Sequence, residues 1–332
     1  MVFPAQYGLR RPGCLKPSPS SPTLFLYLQS CRYRNPGEYI HVFPLDGPKL
    51  RFGYYPHLAP KGEGSEWRSI RQAQAGGKSY RHMAPFTIKV LTYNIHKGFD
   101  IYNRQFVLHL IREQLQAVNV DVVFLQEIHG RHERHENRVD GWPTVSQFEY
   151  LADQVWTHYA YGRNAIYNAG HHGNAILSKY PFEKWQNINV SPWRRASRSL
   201  LHGVIQDPQS GRRLDVICVH LGLIGLERSR QFRILGKYID ENIGVDAPLV
   251  LAGDFNDWSG RLGRRLETDL ALQEAFQVSH GHYARTYPAH WPLLQMDRIY
   301  FRGLQLSDCK CFGGPPWKRL SDHAPLYAQF EL

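Results

Sequence analysis

The sequence has 332 residues, 42% of them hydrophobic and 13% aromatic, which is enough apolar material for a packed core. No apolar run approaches the roughly 18 residues of a membrane-spanning helix, and the apolar run at residues 24–28 is too short for a signal peptide. The five cysteines form no CxxC pair, which argues against a disulfide framework or a zinc site and indicates a reducing, cytoplasmic location.

The charge is unevenly distributed along the chain. The net charge is +11, but residues 1–82 hold 12 basic and 4 acidic residues, whereas residues 83–332 hold 28 and 25. The first 82 residues also contain 10 of the 21 prolines and lack sustained periodicity. We predict a Pro/Gly-rich basic extension at 1–82, disordered or translated from a start codon upstream of Met83. Residues 83–332 are predicted to form one domain.

Beyond Met83 the hydrophobic pattern predicts strands and helices that alternate loosely. An apolar–polar alternation predicts a strand at 86–93, and apolar residues at helical spacing predict an amphipathic helix over 106–118. Buried strands are then predicted at 120–125, 214–219 and 249–252, a helix at 226–239, strands at 296–301 and 326–330, and a hairpin that pairs 199–206 with 212–220. This order predicts a layered α/β fold with much antiparallel pairing.

Polar residues interrupt these predicted strands at their ends. In antiparallel pairs the end of one strand lies beside the start of the next, so we expect these side chains to converge on one edge of the sheets. Each of them alone is typical of a turn or a cap, but their joint placement at strand ends indicates an active site. The positions are Asn94, Glu127, His220, Asp254 with Asn256, Asp297, and Asp322 with His323.

The residue types at these strand ends suit hydrolysis of a phosphoester. Asn94 and Glu127 offer oxygen ligands, which suit Mg²⁺ or Mn²⁺ better than zinc. Asp254 and His323 are candidate acid–base groups, and Asp297 is placed to orient an imidazole.

Two further side chains complete this set. Asn256 and His220 can donate hydrogen bonds to a phosphoryl oxygen on which negative charge develops.

The ordered segments TYNIH, LQE, GNAILSKYP, VHL, GDFN, MDRIY and SDHAP resemble those of the endonuclease/exonuclease/phosphatase superfamily, which includes deoxyribonuclease I. The resemblance spans about residues 86–332 and is nearest to small bacterial members of unassigned substrate. It implies a four-layer α/β sandwich, with two mixed β-sheets packed face to face and helices outside.

The resemblance also implies a role for each residue of the predicted site. The metal, Mg²⁺ with Mn²⁺ as an alternative, would bind at Asn94, Glu127 and Asp322, and Asn174 of the GNAILSKYP segment would contact substrate. Water would attack phosphorus in line, with either Asp254 or the Asp297–His323 pair as the base. The catalytic set is Asp254, Asn256, His220, His323 and Asp297.

Two departures within the motifs narrow the comparison with known branches. With His220 in its VHL segment, the chain is more similar to the deoxyribonuclease I, sphingomyelinase and phosphatase branches than to the exonuclease III branch. Members of the exonuclease III branch have an Asn-containing segment at that place. His96 stands where some relatives have an Asp, so no acidic second metal ligand is expected at that position.

A basic cluster bears on the substrate. The cluster lies beside Trp193 and is predicted to bind substrate phosphates; it consists of Arg194, Arg195 and Arg198. A solvated loop is an alternative of equal weight. A phosphodiester of nucleic acid is slightly favoured as substrate. The alternatives are a phospholipid or sphingomyelin diester, including lipid or GPI-anchor remodelling, a phosphomonoester, or a non-catalytic scaffold.

Two other segments are given structural interpretations. Residues 221–226, LGLIGL, are predicted to be a buried loop that starts a helix rather than an element that docks on lipid. The His- and Arg-rich run at 129–135 is predicted to be a mobile, hydrated loop.

Overall fold

Two six-stranded mixed sheets lie at the centre of the structure, a computed structural model that describes residues 86–191, 198–261 and 263–332. The first sheet contains β1 (Thr87–Asn94), β2 (Val122–His132), β3 (His158–Tyr167), β4 (Gly170–Ser178), β11 (Gln305–Cys311) and β12 (Leu326–Glu331), in the order β11-β12-β1-β2-β4-β3. The second contains β5 (Phe182–Asn189), β6 (Ser199–Gln206), β7 (Arg213–His220), β8 (Leu249–Asp254), β9 (Gln273–Glu274) and β10 (Asp297–Arg302), in the order β5-β6-β7-β8-β10-β9. In the described chain β1–β2 and β7–β8 are parallel pairs and the remaining pairs are antiparallel.

Helices lie around both sheets. They are α1 (Leu108–Val118), α2 (Glu133–Glu136), α3 (Gln147–Ala152), α4 (Gly225–Asn242), α5 (Gly263–Leu270), α6 (Ala275–His280) and α7 (Trp317–Leu320). Local chemistry sets several of their ends. The side chains of Ser146 and Glu149 form a capping box at the start of α3, and Asn119 ends α1 in the left-handed conformation.

The side-chain alternation within strands builds the layers. In β1, Ile88 and Val90 pack into the core between the sheets, whereas Leu91 and Tyr93 pack toward the outer helices. A third cluster, which includes Phe232 of α4, fills the space between the second sheet and its helices. The resulting order of helix, sheet, sheet and helix confirms the four-layer sandwich that the sequence predicts.

The predicted elements occur, with shifted ends. The predicted hairpin is the β6–β7 pair, and the helix predicted at 226–239 runs from Gly225 to Asn242. The extension predicted at 1–82 lies outside the described residues and stays a prediction.

The interpretation of residues 221–226 as a buried loop is wrong. Leu221 is buried, but Leu223, Ile224 and Leu226 are 62%, 66% and 62% exposed. The reason is that α4 begins at Gly225 and packs inward through residues such as Phe232 and Leu235, so the apolar side chains at its start face solvent.

The interpretation of residues 129–135 as a mobile, hydrated loop is wrong for the backbone and for His129, although Arg131, Glu133 and Arg134 are exposed. β2 continues to His132 and is followed directly by α2. His129 is only 2% exposed because it is paired with His172 of β4 and is covered by Trp142. The backbone of His129 pairs with that of His172, 43 residues further along the chain, and a local sequence pattern does not reveal this pairing.

Within the described ranges, no helix combines the length and apolarity needed to cross a membrane. Cys218, Cys309 and Cys311 are free thiols. The cytoplasmic location stays a prediction.

Candidate active site

Strand register brings the predicted residues to one edge of the two sheets. His220 at the end of β7 is level with Asp254 at the end of β8, and Asp297 at the start of β10 is opposite Asp254. In the first sheet, Asn94 at the end of β1 is level with Gln126, the residue before Glu127. The convergence expected from the strand ends therefore occurs in the structure.

Asp254 lies at the centre of the cluster, and its Oδ2 atom faces several nitrogens. Asn94 Nδ2 and Asn256 Nδ2 each donate to Oδ2 over 3.2 Å, and His220 Nε2 lies 3.4 Å from it. The backbone N–H of Asn256 donates to Oδ1 over 2.9 Å. The contact with Asn94 also joins the two sheets, because Asn94 belongs to one and Asp254 to the other.

His323 is held between two carboxylates. Its Nδ1–H donates to Asp297 Oδ2 over 2.8 Å, and its Nε2 lies 3.9 Å from Asp254 Oδ2. Burial lowers the pKa of His323, but the negative charges of Asp297 and Asp254 raise it by a larger amount, so that the pKa is about 10. The ring is therefore protonated on both nitrogens at neutral pH, and its Nε2–H points toward Asp254.

Burial shifts the two other titratable groups that meet at this point. It raises the pKa of Asp254 to about 7, an effect that the charge of His323 opposes and that of Asp297 reinforces. Burial lowers the pKa of His220 well below its usual value, and the nearby Arg198 lowers it further. His220 is therefore a neutral hydrogen-bond donor, whereas Asp254 can exchange a proton near neutral pH.

Glu127 is ionised and pairs with a lysine. Its Oε2 atom accepts a 2.7 Å hydrogen bond from Lys97 Nζ. Burial raises the pKa of Glu127, whereas positive charge on His220 and Lys97 lowers it, to about 2. Because His220 is neutral at pH 7, Lys97 is the cation that stabilises the carboxylate there.

Two residues of the site have a strained backbone. Glu127 has φ of 57° and Asn256 has φ of 50°, and both belong to the left-handed region that non-glycine residues seldom occupy. At Glu127 the register of β2 against β4 also shifts, between Leu125 and Ile128. Gly253 has φ of 147°, and a Cβ atom there would lie 2.0 Å from the carbonyl oxygen of Val219. The close approach of β7 and β8 thus requires glycine.

The remaining predicted residues lie at varied positions. Asp322 is half-buried, and its Oδ1 atom lies 3.3 Å from Ser321 Oγ. Asn174 of β4 is fully buried and donates to the carbonyl oxygen of Ser199 over 3.3 Å. The charge of Arg198 acts on His220, while Arg194 and Arg195 lie outside the described residues.

Three residues at the site were not anticipated from the sequence. Lys97 follows the motif TYNIH directly and pairs with Glu127. Ser321 Oγ donates to the carbonyl oxygen of Asn94 over 2.7 Å and accepts from the His323 N–H over 3.3 Å, so it fastens the SDHAP segment to β1. Tyr287 places its ring centroid 5.0 Å from that of His323. Of these, only Ser321 lay within a motif that could have singled it out.

The family model of the "Endonuclease/Exonuclease/phosphatase family" matches residues 91–323, which span every side chain of this cluster. The chain belongs to this family. Its members hydrolyse phosphoester bonds, and the match confirms the resemblance stated from the motifs. The "Uncharacterized protein YbhP" of Escherichia coli strain K12 is 44% identical over 247 residues, which cover 74% of this chain and 97% of the relative.

Solved structures agree with the fold. An endonuclease/exonuclease/phosphatase from Beutenbergia cavernae has a TM-score of 0.58 at 19% identity, covering 74% of this chain and 72% of its own. The D. rerio TDP2 complexed with a single-strand DNA product has a TM-score of 0.58 at 18% identity, covering 74% and 99%. At such identities the likeness establishes the fold alone.

Proposed function

We propose that this protein is a metal-dependent phosphodiesterase that hydrolyses its substrate by in-line attack of water. The observation that carries the proposal is the chain of contacts from Asp297 through His323 to Asp254, opposite Asn94 and Glu127. A carboxylate that can take up a proton beside an imidazolium that can stabilise negative charge is the arrangement that phosphoryl transfer from a diester to water needs.

Each side chain has a role that follows from its contacts. Asp254 Oδ2 accepts the proton of the attacking water, and Asn256 holds the Asp254 carboxylate in place by donating its backbone N–H to Oδ1 and an Nδ2–H to Oδ2. His323, kept protonated by Asp297, donates Nε2–H to the developing phosphoryl charge. Neutral His220 contributes a second donor at the same place.

The residues at the end of β1 and β2 fit a divalent cation that prefers oxygen. Glu127 is ionised, Asn94 offers Oδ1, and the half-buried Asp322 supplies a further carboxylate. The ammonium group of Lys97 in contact with Glu127 supports this assignment, because it shows that the position accommodates positive charge. Mg²⁺ bound there would neutralise charge on the phosphoryl oxygens and lower the barrier.

For the substrate we propose nucleic acid first. Arg198 brings positive charge to His220, and the D. rerio TDP2 structure, which has the same fold, holds a single-strand DNA product. Positive charge beside the site favours an anionic polymer.

A second candidate, a phospholipid diester, is favoured by the exposed apolar patch, which we define as Leu223, Ile224, Leu226 and Trp258. The guanidinium of Arg228 lies 4.8 Å from the centroid of the Trp258 ring and donates to the carbonyl oxygen of Gly222, so the patch is one surface. It follows His220 and Asn256 in the chain, and such a patch can insert into the headgroup region of a membrane.

The first test compares hydrolysis of bis-p-nitrophenyl phosphate and p-nitrophenyl phosphate with Mg²⁺, Mn²⁺ or EDTA. We expect turnover of the diester that requires metal and that falls at least about 100-fold in Asp254→Asn. Asp240→Asn, the same change at an exposed position of α4, is the control. Turnover of the monoester alone would instead identify a phosphatase, and turnover that Asp254→Asn retains would refute the proposed site.

The second test separates the two substrates. Single-stranded DNA and phospholipid vesicles are each offered to the wild type and to the variant with Leu223, Ile224 and Leu226 all changed to Ser. A lipid enzyme loses vesicle binding and turnover in this variant, whereas a nuclease keeps its DNA turnover. Val245→Ser, which removes another exposed apolar side chain, is the control.

A further inference from the structure

Four histidines meet beside the active site, at the end of β2. His129 belongs to β2, His132 ends it, His135 lies in α2, and His172 of β4 pairs with His129. The ring centroid of His129 lies 4.9 Å from that of His132, and 5.8 Å from those of both His135 and His172. We call these four side chains the histidine cluster. None of them has a role in the proposed hydrolysis.

The histidine cluster contains nitrogens without hydrogen bonds. Nε2 of His129, Nδ1 of His135 and Nδ1 of His172 are shielded from solvent and have no hydrogen-bond partner in the described part of the chain. Buried polar atoms nearly always have a partner, so three unpaired ring nitrogens in one place indicate a missing ligand. The aromatic ring of Trp142, 5.6 Å from His129 and 5.0 Å from His135 between centroids, closes one side of the cluster.

The hydrogen bonding of His129 leaves its free nitrogen available to a metal. Its Nδ1 lies 3.2 Å from the hydroxyl oxygen of Tyr167. When Nδ1–H donates to that oxygen, Nε2 carries the lone pair. Metal-binding histidines are generally held in this way, with the second ring nitrogen donating to a neighbouring oxygen.

The spacing of the ring nitrogens also fits a metal ion. One ligand nitrogen from each of His129, His132 and His135 lies within 4.8 Å of the other two. In a tetrahedral zinc site with Zn–N distances of about 2.0–2.1 Å the ligand nitrogens are about 3.3 Å apart, so small side-chain movements would close the site. Nδ1 of His132 accepts the His135 N–H over 3.1 Å, and a metal at Nδ1 would replace that contact.

The chemistry of the ligands selects the metal. Imidazole nitrogens suit Zn²⁺ and its transition-metal neighbours, whereas Mg²⁺ and Mn²⁺ prefer oxygen ligands such as those of Asn94 and Glu127. We propose that His129, His132 and His135 bind one transition-metal ion of the Zn²⁺ class. This site is separate from the oxygen site, and the inference does not depend on the proposed hydrolysis.

Calorimetric titration of the untagged full chain with Zn²⁺, in excess Mg²⁺ to saturate the oxygen site, tests the proposal. We expect one equivalent of Zn²⁺ to bind the wild type and its affinity to fall at least about 100-fold in the His132→Ala/His135→Ala double variant. His109→Ala, which removes an exposed histidine on α1, is the control and should bind as the wild type does.

Two further measurements cover the outcome in which the double variant folds poorly. Tyr167→Phe retains every ligand but removes the oxygen beside His129, so its Zn²⁺ affinity should fall about tenfold. Zinc-edge X-ray absorption of the loaded wild type should show a nitrogen-rich first shell. Equal binding by the wild type and the double variant, absence of Zn²⁺ binding by the wild type, or an oxygen-only shell would each overturn the proposal.

Discussion

Asp297→Asn isolates the contribution of one hydrogen bond to catalysis. Asp297 is 1% exposed and accepts the 2.8 Å hydrogen bond from His323 Nδ1. Asparagine has nearly the same shape, so the core around β10 is kept while the negative charge is lost. Without that charge His323 loses the partner that keeps its ring protonated and fixed in direction.

The magnitude follows from the pKa of His323. Asp297 and Asp254 raise this pKa from 6.5 to about 10 in spite of burial, and Asp297 is the larger contributor. Because each pKa unit corresponds to about 1.4 kcal/mol, this net shift favours the imidazolium by about 5 kcal/mol after the cost of burial. Loss of the Asp297 share should therefore lower kcat by about 10² to 10⁴, a range typical of positioned acid–base groups.

The assay is steady-state hydrolysis of bis-p-nitrophenyl phosphate at saturating Mg²⁺, with Asp240→Asn as the control for an exposed aspartate. We expect the loss in kcat and little change in KM, because Asp297 touches His323 rather than the substrate. A thermal melt verifies that the variant is folded. Wild-type kcat in folded Asp297→Asn would refute the assignment of His323 as the charged donor.

Three more variants test other contacts. Lys97→Met removes the cation beside Glu127, so the Mg²⁺ concentration at half-maximal rate should fall about fivefold, since a partly exposed ion pair contributes about 1 kcal/mol. Gly253→Ala drives a Cβ atom against β7 and should lower the free energy of unfolding in urea by at least about 2 kcal/mol. Burial raises the pKa of Glu274 from 4.5 to about 7, so the folded state favours the protonated carboxyl and wild-type stability falls as the pH rises between these values. Glu274→Gln should abolish this fall, and its free energy of unfolding should exceed that of the wild type by up to about 3 kcal/mol at roughly pH 8. A difference in stability between the two proteins that stays constant across pH would contradict the assignment.

The strand-end residues could be predicted because a strand that ends in a polar side chain is visible locally. Asn94, His220 and Asp254 each follow an apolar run, and the rules of sheet pairing bring such ends together. The fold followed from the same pattern together with the family motifs. What the pattern did not contain was the geometry of the backbone just beyond each strand.

Lys97 illustrates this gap. Lys97 has φ of 61°, and this turn of the backbone lets the ammonium group of Lys97 reach Glu127. The sequence analysis did not predict this turn. The burial of His129 was missed for a related reason. A run rich in His and Arg is typical of a solvated surface, but pairing with His172 and the ring of Trp142 shield the His129 side chain from water.

For residues 221–226 the error was the opposite one, because burial was predicted for side chains that are exposed. Hydrophobicity alone predicts burial, but the side chains of Leu223 and Ile224 precede a helix whose inward face is already filled by Phe232 and Leu235. Which side of a helix start faces the core depends on where the helix begins, and Gly225 is not a strong start signal.

Gln147 connects the oxygen site with the histidine cluster. It is 1% exposed, its Nε2 donates to the carbonyl oxygen of Lys97 over 2.9 Å, and its Oε1 accepts the N–H of His129 over 2.9 Å. Lys97 in turn pairs with Glu127, two residues before His129 in β2. The side-chain amide of Gln147 thus holds both the backbone of Lys97 and the backbone of His129 in β2. Since buried hydrogen bonds with both partners satisfied resist displacement, a metal at the cluster would hold the Lys97 segment more rigidly without touching the substrate.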